Sequence, residues 1–202
     1  MQNLAWISYN QNSRYYFDQY NSLKFSKVHR SFSKFLPVVG SNILDVGSGS
    51  GRDAFALAKK GYFVTAVEPS TGMLNLAKQY FHHEKITWMK DSLPSLASLK
   101  SSKQKYDFIL LSAVWMHINP EKRKRSLRTL AELLSEKGVL AITLRIGPTI
   151  PERFIHDADV KSLVDLAKSI KLEIIYMSRF NKDSLSREDI RWQKIVLTKS
   201  KL

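Results

Sequence analysis

The chain has 202 residues, no cysteine, and 32 Lys and Arg against 18 Asp and Glu, for a formal net charge of +14. That length suits one domain, residues 1–202, with its own apolar core, and the missing cysteines exclude disulfide scaffolds, Cys-ligated zinc or iron–sulfur sites and any cysteine nucleophile. The charge admits polyanionic partners such as nucleic acid or anionic lipid, but it governs encounter and solubility and names no reaction. Local runs such as Glu121-Lys122-Arg123-Lys124-Arg125 read as solvated faces.

Residues 1–41 stand apart from the rest. Tyr9, Tyr15, Tyr16 and Tyr20 place half of the chain's tyrosines in its first tenth. Amphipathic helices packed on the remaining fold would account for them, and so would a helical cap closing over a ligand. The start, MQNLAWISYN, lacks a basic region followed by an apolar run, so no secretory signal is read and a cytoplasmic location is expected. No membrane insertion is expected either, because the longest apolar stretch, FILLSAVWM at 108–116, is too short to span a bilayer.

From residue 42 short apolar strands alternate with helical patterns. Strands are predicted over 42–46, 62–67, 86–89, 108–113 and 139–144, and helices over 52–60, 71–80 and 120–136. The last of these has Asn119 as N-cap, Pro120 in the first turn and Gly138 as its stop. This cadence predicts an α/β fold, a parallel sheet with helices on both faces and a ligand site at the carboxyl ends of the strands. After a helix over 157–170 the cadence breaks. The extended runs 172–177 and 192–198 are separated by no helix-length apolar pattern, so they must pair antiparallel.

The most informative stretch is ILDVGSGSGRDA at 43–54. Glycines at 47, 49 and 51 let backbone approach a ligand closely, and the following helix offers free N–H groups to an anion. Gly49–Ala54 even satisfies the dinucleotide pattern G-x-G-x-x-A. Yet Asp45 and Val46 separate that loop from the expected strand end, and Asp45 would repel a pyrophosphate. No Gly-Lys-Ser/Thr follows, so a nucleoside-triphosphate phosphate loop is excluded. A ligand carrying an ammonium and a sulfonium makes use of that carboxylate.

On these residues the chain resembles the class I S-adenosylmethionine-dependent methyltransferases, whose first motif is an acid followed by G-x-G-x-G. Asp45, Gly47, Gly49 and Gly51 match it, and Ser48 lies within it. VTAVEPS supplies Glu68 at the second strand end, where the family places an acid that accepts hydrogen bonds from both ribose hydroxyls. Met73 falls where an apolar residue covers the adenine. KITWMKDSL offers Asp91 and Ser92 near the adenine amino group, although an Asp there also fits an ordinary turn. Ser112, at the fourth strand end, completes the implied cofactor set. The resemblance implies a Rossmann-like, seven-stranded, mostly parallel sheet with an antiparallel last strand. It extends to the small tellurite-resistance-type members.

The methyl acceptor is expected at the mouth of the fourth and fifth strands. The Asp/Asn-Pro-Pro-aromatic motif of exocyclic-amine base methylation is absent, and cytosine-type methylation through a cysteine adduct is impossible without cysteine. Trp115, His117, Arg145, Arg153 and His156 are the candidates instead. His117 is read as a base or as a packing residue between Met116 and Ile118, and Arg145 as a charge that orients the acceptor. Trp115, Arg153 and His156 would line the acceptor pocket, although Trp115 would equally fill the core. A small-molecule acceptor is expected. An RNA or other polyanion methyltransferase and a non-catalytic cofactor-binding module are the alternatives, and no metal is expected.

Overall fold

The computed structural model describes residues 5–200. Its centre is Asn42–Val46 (β1), flanked by Phe63–Val67 (β2) on one side and Tyr106–Leu111 (β4) on the other, both parallel to it. Ile86–Met89 (β3) extends the sheet beyond β2, and Leu134–Ile146 (β5) extends it beyond β4. Arg191–Lys199 (β8) then inserts antiparallel between β5 and Leu172–Met177 (β6), giving the order β3-β2-β1-β4-β5-β8-β6. This seven-stranded path carries the expected antiparallel tail, and a two-residue strand, Asn181–Lys182 (β7), pairs with β8 as an eighth.

Both faces are covered, as the mostly apolar strands require. Leu44, Ile109, Leu111, Leu140 and Ile142 point to one side, where they meet Pro120–Leu133 (α7) through Leu127 and Leu130 and Val160–Lys168 (α8) through Leu163 and Ala167. The alternate residues Ile43, Phe108, Leu110 and Ala141 face Arg52–Ala58 (α4) through Ala54 and Leu57, together with Phe25 and Phe32 from the N-terminal segment. Each such leucine, isoleucine or phenylalanine contributes about 1.5–3 kcal/mol on removal from water. Thr71–Tyr80 (α5) and the short Ala97–Lys100 (α6) complete the crossovers.

The N-terminal segment folds as Ala5–Gln11 (α1), Ser13–Asn21 (α2) and Phe25–Val28 (α3), followed by a 3-10 turn at Arg30–Phe35. Residues 1–4 of the expected cap lie outside the described residues. Tyr16 and Phe17 of α2 pack on Met73 of α5, so the tyrosine-rich stretch is bound to the second crossover.

The junction of α7 and β5 departs most from expectation. The helix starting at Pro120 ends at Leu133, whose successor is already extended at φ −65°, ψ 139°. Gly138 is therefore no helix stop: it sits inside β5, where a Cβ would lie 2.7 Å from the Tyr106 carbonyl oxygen. Close strand approach, not chain reversal, requires glycine there. Arg123 likewise leaves the solvated face assigned to its run. It is 6% exposed, donates to the carbonyls of Ile118 and Asp157, and stacks its guanidinium 5.6 Å from the centre of the Trp115 ring.

Candidate functional site

The order reverses direction between β1 and β4, and a cavity of about 750 Å³ opens at the carboxyl ends of these strands and of β5. That is where an open α/β sheet binds ligands. Asp45, Gly47, Ser48, Gly49, Glu68, Met73, Asp91, Ser92 and Ser112 line it, with His117, Arg145 and Arg153.

The turn after β1 is built from backbone that only glycine adopts readily. Gly47 has φ +71°, and a Cβ on it would meet Val114 Cγ2 at 2.4 Å; Gly49 has φ +53° and faces Met73. Gly51 does not line the cavity. At φ +81° it precedes α4, and a Cβ would collide with Trp88 at 2.6 Å and Ala77 at 2.9 Å, so it serves packing of α4 on its neighbours.

Asp45 is 1% exposed, and its Oδ2 has no hydrogen-bond partner. Burial, then the nearby Asp53 carboxylate, push its carboxyl well above the ordinary range, with Arg52 opposing. An unsatisfied buried carboxylate oxygen on a cavity wall is a place for a cationic donor. Ser48 Oγ beside it is also buried without a partner.

Glu68 ties the second strand end to the glycine loop. Its Oε2 accepts from Gly49 N at 2.8 Å and its Oε1 from Ser70 N at 2.8 Å. Burial raises its carboxyl to about 7 against the pull of those two N–H groups. Each oxygen retains a lone pair for a further donor. Asp91 faces the cavity while serving its turn, with Oδ1 accepting from Ser92 N and Oδ2 from Ser98 N at the start of α6.

The other end of the cavity is assembled by two joined loops. Ala113, at φ +56°, donates its N–H to Thr143 Oγ1 and turns the chain straight after β4 into the 3-10 turn Trp115–His117. The 150s loop clips onto that turn through His156 N donating to Met116 O, and Arg123 holds both segments from below. Trp115 lies in the core at 1% exposure, and neither it nor His156 reaches the cavity wall.

His117 instead faces the cavity. Its Nδ1 lies 3.3 Å from the Phe154 carbonyl, which only accepts, so the proton sits on Nδ1 and Nε2 accepts from the Tyr9 hydroxyl at 3.1 Å. Burial lowers its pKa to about 4, leaving a neutral imidazole. Tyr9 in turn lies 3.4 Å from the Tyr20 hydroxyl, and Arg153 stacks over Tyr16 at 5.3 Å.

The first three helices thus form one wall of the cavity, and two latches hold them there. Asn10 Oδ1 accepts from Ser70 Oγ at 2.8 Å and from Gly72 N at 3.0 Å. Arg52 clasps Asp53 with two hydrogen bonds and donates to the Tyr20 carbonyl, while His29, fully buried, pairs with Asp53 Oδ2 at 2.9 Å. Despite the cost of burial, His29 and Arg52 hold the Asp53 carboxyl well below the usual carboxylate range. Sequence reasoning missed Asp53, His29 and Asn10, whose latch contacts reach across as many as 62 residues of chain. The tyrosine cluster was the one visible signal of this wall.

Among the described residues no helix is long and apolar enough to cross a membrane, and no group of His, Cys, Asp and Glu could hold a metal ion.

Comparison with known proteins matches the same region. The family model for a methyltransferase domain covers residues 43–138. The chain is 32% identical over 111 residues to arsenite methyltransferase from Rattus norvegicus, which spans 48% of this chain and 29% of that protein. It is 26% identical over 162 residues to an uncharacterized methyltransferase from Anoxybacillus flavithermus, which spans 78% of this chain and 69% of that protein. A TehB-like S-adenosylmethionine-dependent methyltransferase structure from Corynebacterium glutamicum superposes with a TM-score of 0.69 at 20% identity over 96% of this chain and 98% of that one. The acid and glycine loop at β1 and the second acid at β2 fall inside the stretch that matches the methyltransferase-domain model, and the chain shares its fold with S-adenosylmethionine-dependent methyltransferase structures.

Proposed function

We propose that the protein is an enzyme that binds S-adenosylmethionine and transfers its methyl group to a small-molecule acceptor. The observation that carries this reading is the unsatisfied Oδ2 of buried Asp45 beside Gly47 and Gly49. It meets the methionyl ammonium of such a cofactor, and it is hostile to pyrophosphate. Glu68 accepts from the ribose hydroxyls with the lone pairs its backbone partners leave, and Met73 and Ser92 border the base. The cofactor supplies a methyl group already activated by its sulfonium, so the chain's own task is to position the acceptor and take up any proton it releases.

His117 is suited to that second task. Its imidazole is neutral and its Nε2 accepts from the Tyr9 hydroxyl on the cavity wall, so a proton released in the cavity reaches it through that hydroxyl. A cavity of about 750 Å³, open at the strand ends and within the usual range for small-ligand sites, favours a small acceptor over a polymer. Arsenite methyltransferase, a relative by sequence, also acts on a small molecule by its name.

Calorimetric titration with S-adenosylhomocysteine and with NAD tests cofactor choice, and tighter binding of NAD would end this reading. Labelled S-adenosylmethionine incubated with fractionated extract then shows whether label enters metabolites, RNA or protein. With the acceptor in hand, His117→Ala should leave S-adenosylhomocysteine affinity intact and reduce turnover by ~100-fold where a proton must be removed.

A further inference from the structure

The end of the cavity opposite Asp45 carries positive charge that the protein does not neutralise. Arg145, at the carboxyl end of β5, is 4% exposed; its Nη1 donates to the Pro148 carbonyl at 2.8 Å and its Nε is buried with no partner. Arg153, in the following loop, also has a buried Nε without a partner. Neither forms an ion pair with a carboxylate among the described residues. The third guanidinium on this wall, Arg187, is different: it clasps Asp183 with hydrogen bonds of 2.9 and 2.8 Å, and Asp183 also accepts from Trp192 Nε1 at 2.7 Å. The neutralised pair and the two unneutralised arginines border one space.

A buried guanidinium without a counter-ion is costly, and the cost is offset when an anion supplies paired acceptors. We infer that the methyl acceptor is itself an acid, with a carboxylate-type oxyanion held by Arg145 and Arg153. This rests on the methyltransferase reading above. The cofactor's own carboxylate is poorly placed to serve instead. It shares one carbon with the ammonium that meets Asp45, whereas β5 lies two strands from β1, about 10 Å at a strand spacing of ~4.8 Å.

The test uses the full chain saturated with S-adenosylhomocysteine, titrated with acetate and benzoate and, as uncharged counterparts, acetamide and benzamide. The arginine Nε–H resonances, assigned by their loss in Arg145→Gln and Arg153→Gln, are the readout. The expected result is a saturable shift of both resonances with the acids and none with the amides, weakened about tenfold or more in either variant. Arg153 is partly exposed, so its variant keeps the test decisive should Arg145→Gln fail to fold. No saturable shift with either acid, or equal shifts with the amides, overturns the proposal. So does a response seen only without S-adenosylhomocysteine, or weakened S-adenosylhomocysteine affinity in the folded variants, because the arginines would then hold the cofactor's carboxylate. Failure to bind S-adenosylhomocysteine at all would instead strike the methyltransferase reading.

Discussion

Two carboxylates dominate the site at the scale of single residues, and both are costly as the free protein stands. Glu68 is raised from its ordinary 4.5 to about 7 by burial, so between those values the folded chain holds a proton that the unfolded chain has lost. Its contribution is therefore most favourable below pH 4.5 and is lost as pH rises through 7. Urea unfolding at pH 5 and at pH 8 should show a smaller loss of stability in Glu68→Gln than in the wild type across that interval; identical pH profiles would place the carboxyl in a less buried setting. Binding runs the other way. The ribose hydroxyls need the ionised form, so S-adenosylhomocysteine affinity should rise as pH passes through about 7 and level off roughly a unit above it. In Glu68→Ala the affinity should fall by about 2–4 kcal/mol, since two charge-assisted hydrogen bonds go. A calorimetric titration series checks both, and an unchanged affinity would remove Glu68 from the ribose.

At the scale of elements, the question is what keeps the N-terminal helices against the sheet. Asp53, on the first turn of α4, is the shared hydrogen-bond partner: His29 reaches it from beyond α3, and Arg52 pairs with it while also donating to the Tyr20 carbonyl at the end of α2. Removing one partner of a buried ionic network costs about 3–5 kcal/mol. Asp53→Asn should accordingly lower global stability in urea and raise amide exchange over 5–28 more than over β1 and β4. Uniform acceleration across the sheet would mean that the latch supports the whole fold and not the wall of the cavity in particular. Because Asp53 is held below its ordinary pKa, this support is present above that value and lost as pH falls further. The latch also bears on His117, whose hydroxyl partner Tyr9 arrives on α1.

For the whole molecule, cofactor binding should act on stability by mass action. At a hundredfold excess over Kd, a ligand that binds only the native state adds ~2.7 kcal/mol, which in a domain of this length raises Tm by about 5–10 °C. A calorimetric scan with and without S-adenosylhomocysteine measures it, and an unmoved Tm at saturating ligand contradicts the site. The net charge of +14 makes a separate statement. If it serves only solubility and encounter, RNA affinity should be weak at physiological salt. A polyanionic substrate making six or more phosphate contacts would show about a thousandfold loss of affinity between 50 and 200 mM salt.

What the sequence by itself determined is whatever rests on local pattern. The strands 42–46 and 86–89 and the helix 71–80 were legible to the residue, because short, mostly apolar runs and the Pro69-Ser70 start are local signals. The acid, glycine loop and second acid were legible for the same reason: each sits at the end of a strand whose period announces it. Helix and strand boundaries at 133–138 were not, because the close approach of Gly138 to Tyr106 belongs to a neighbouring strand. Tertiary structure alone decided which polar residues share a space. It sent Trp115 into the core beneath Arg123 and turned Gly51 from ligand loop to packing contact, while it brought Tyr9 to His117 across 108 residues. Spacing along the chain carries no information about such pairs, since burial and counter-charges are properties of the assembled surface and not of any one segment.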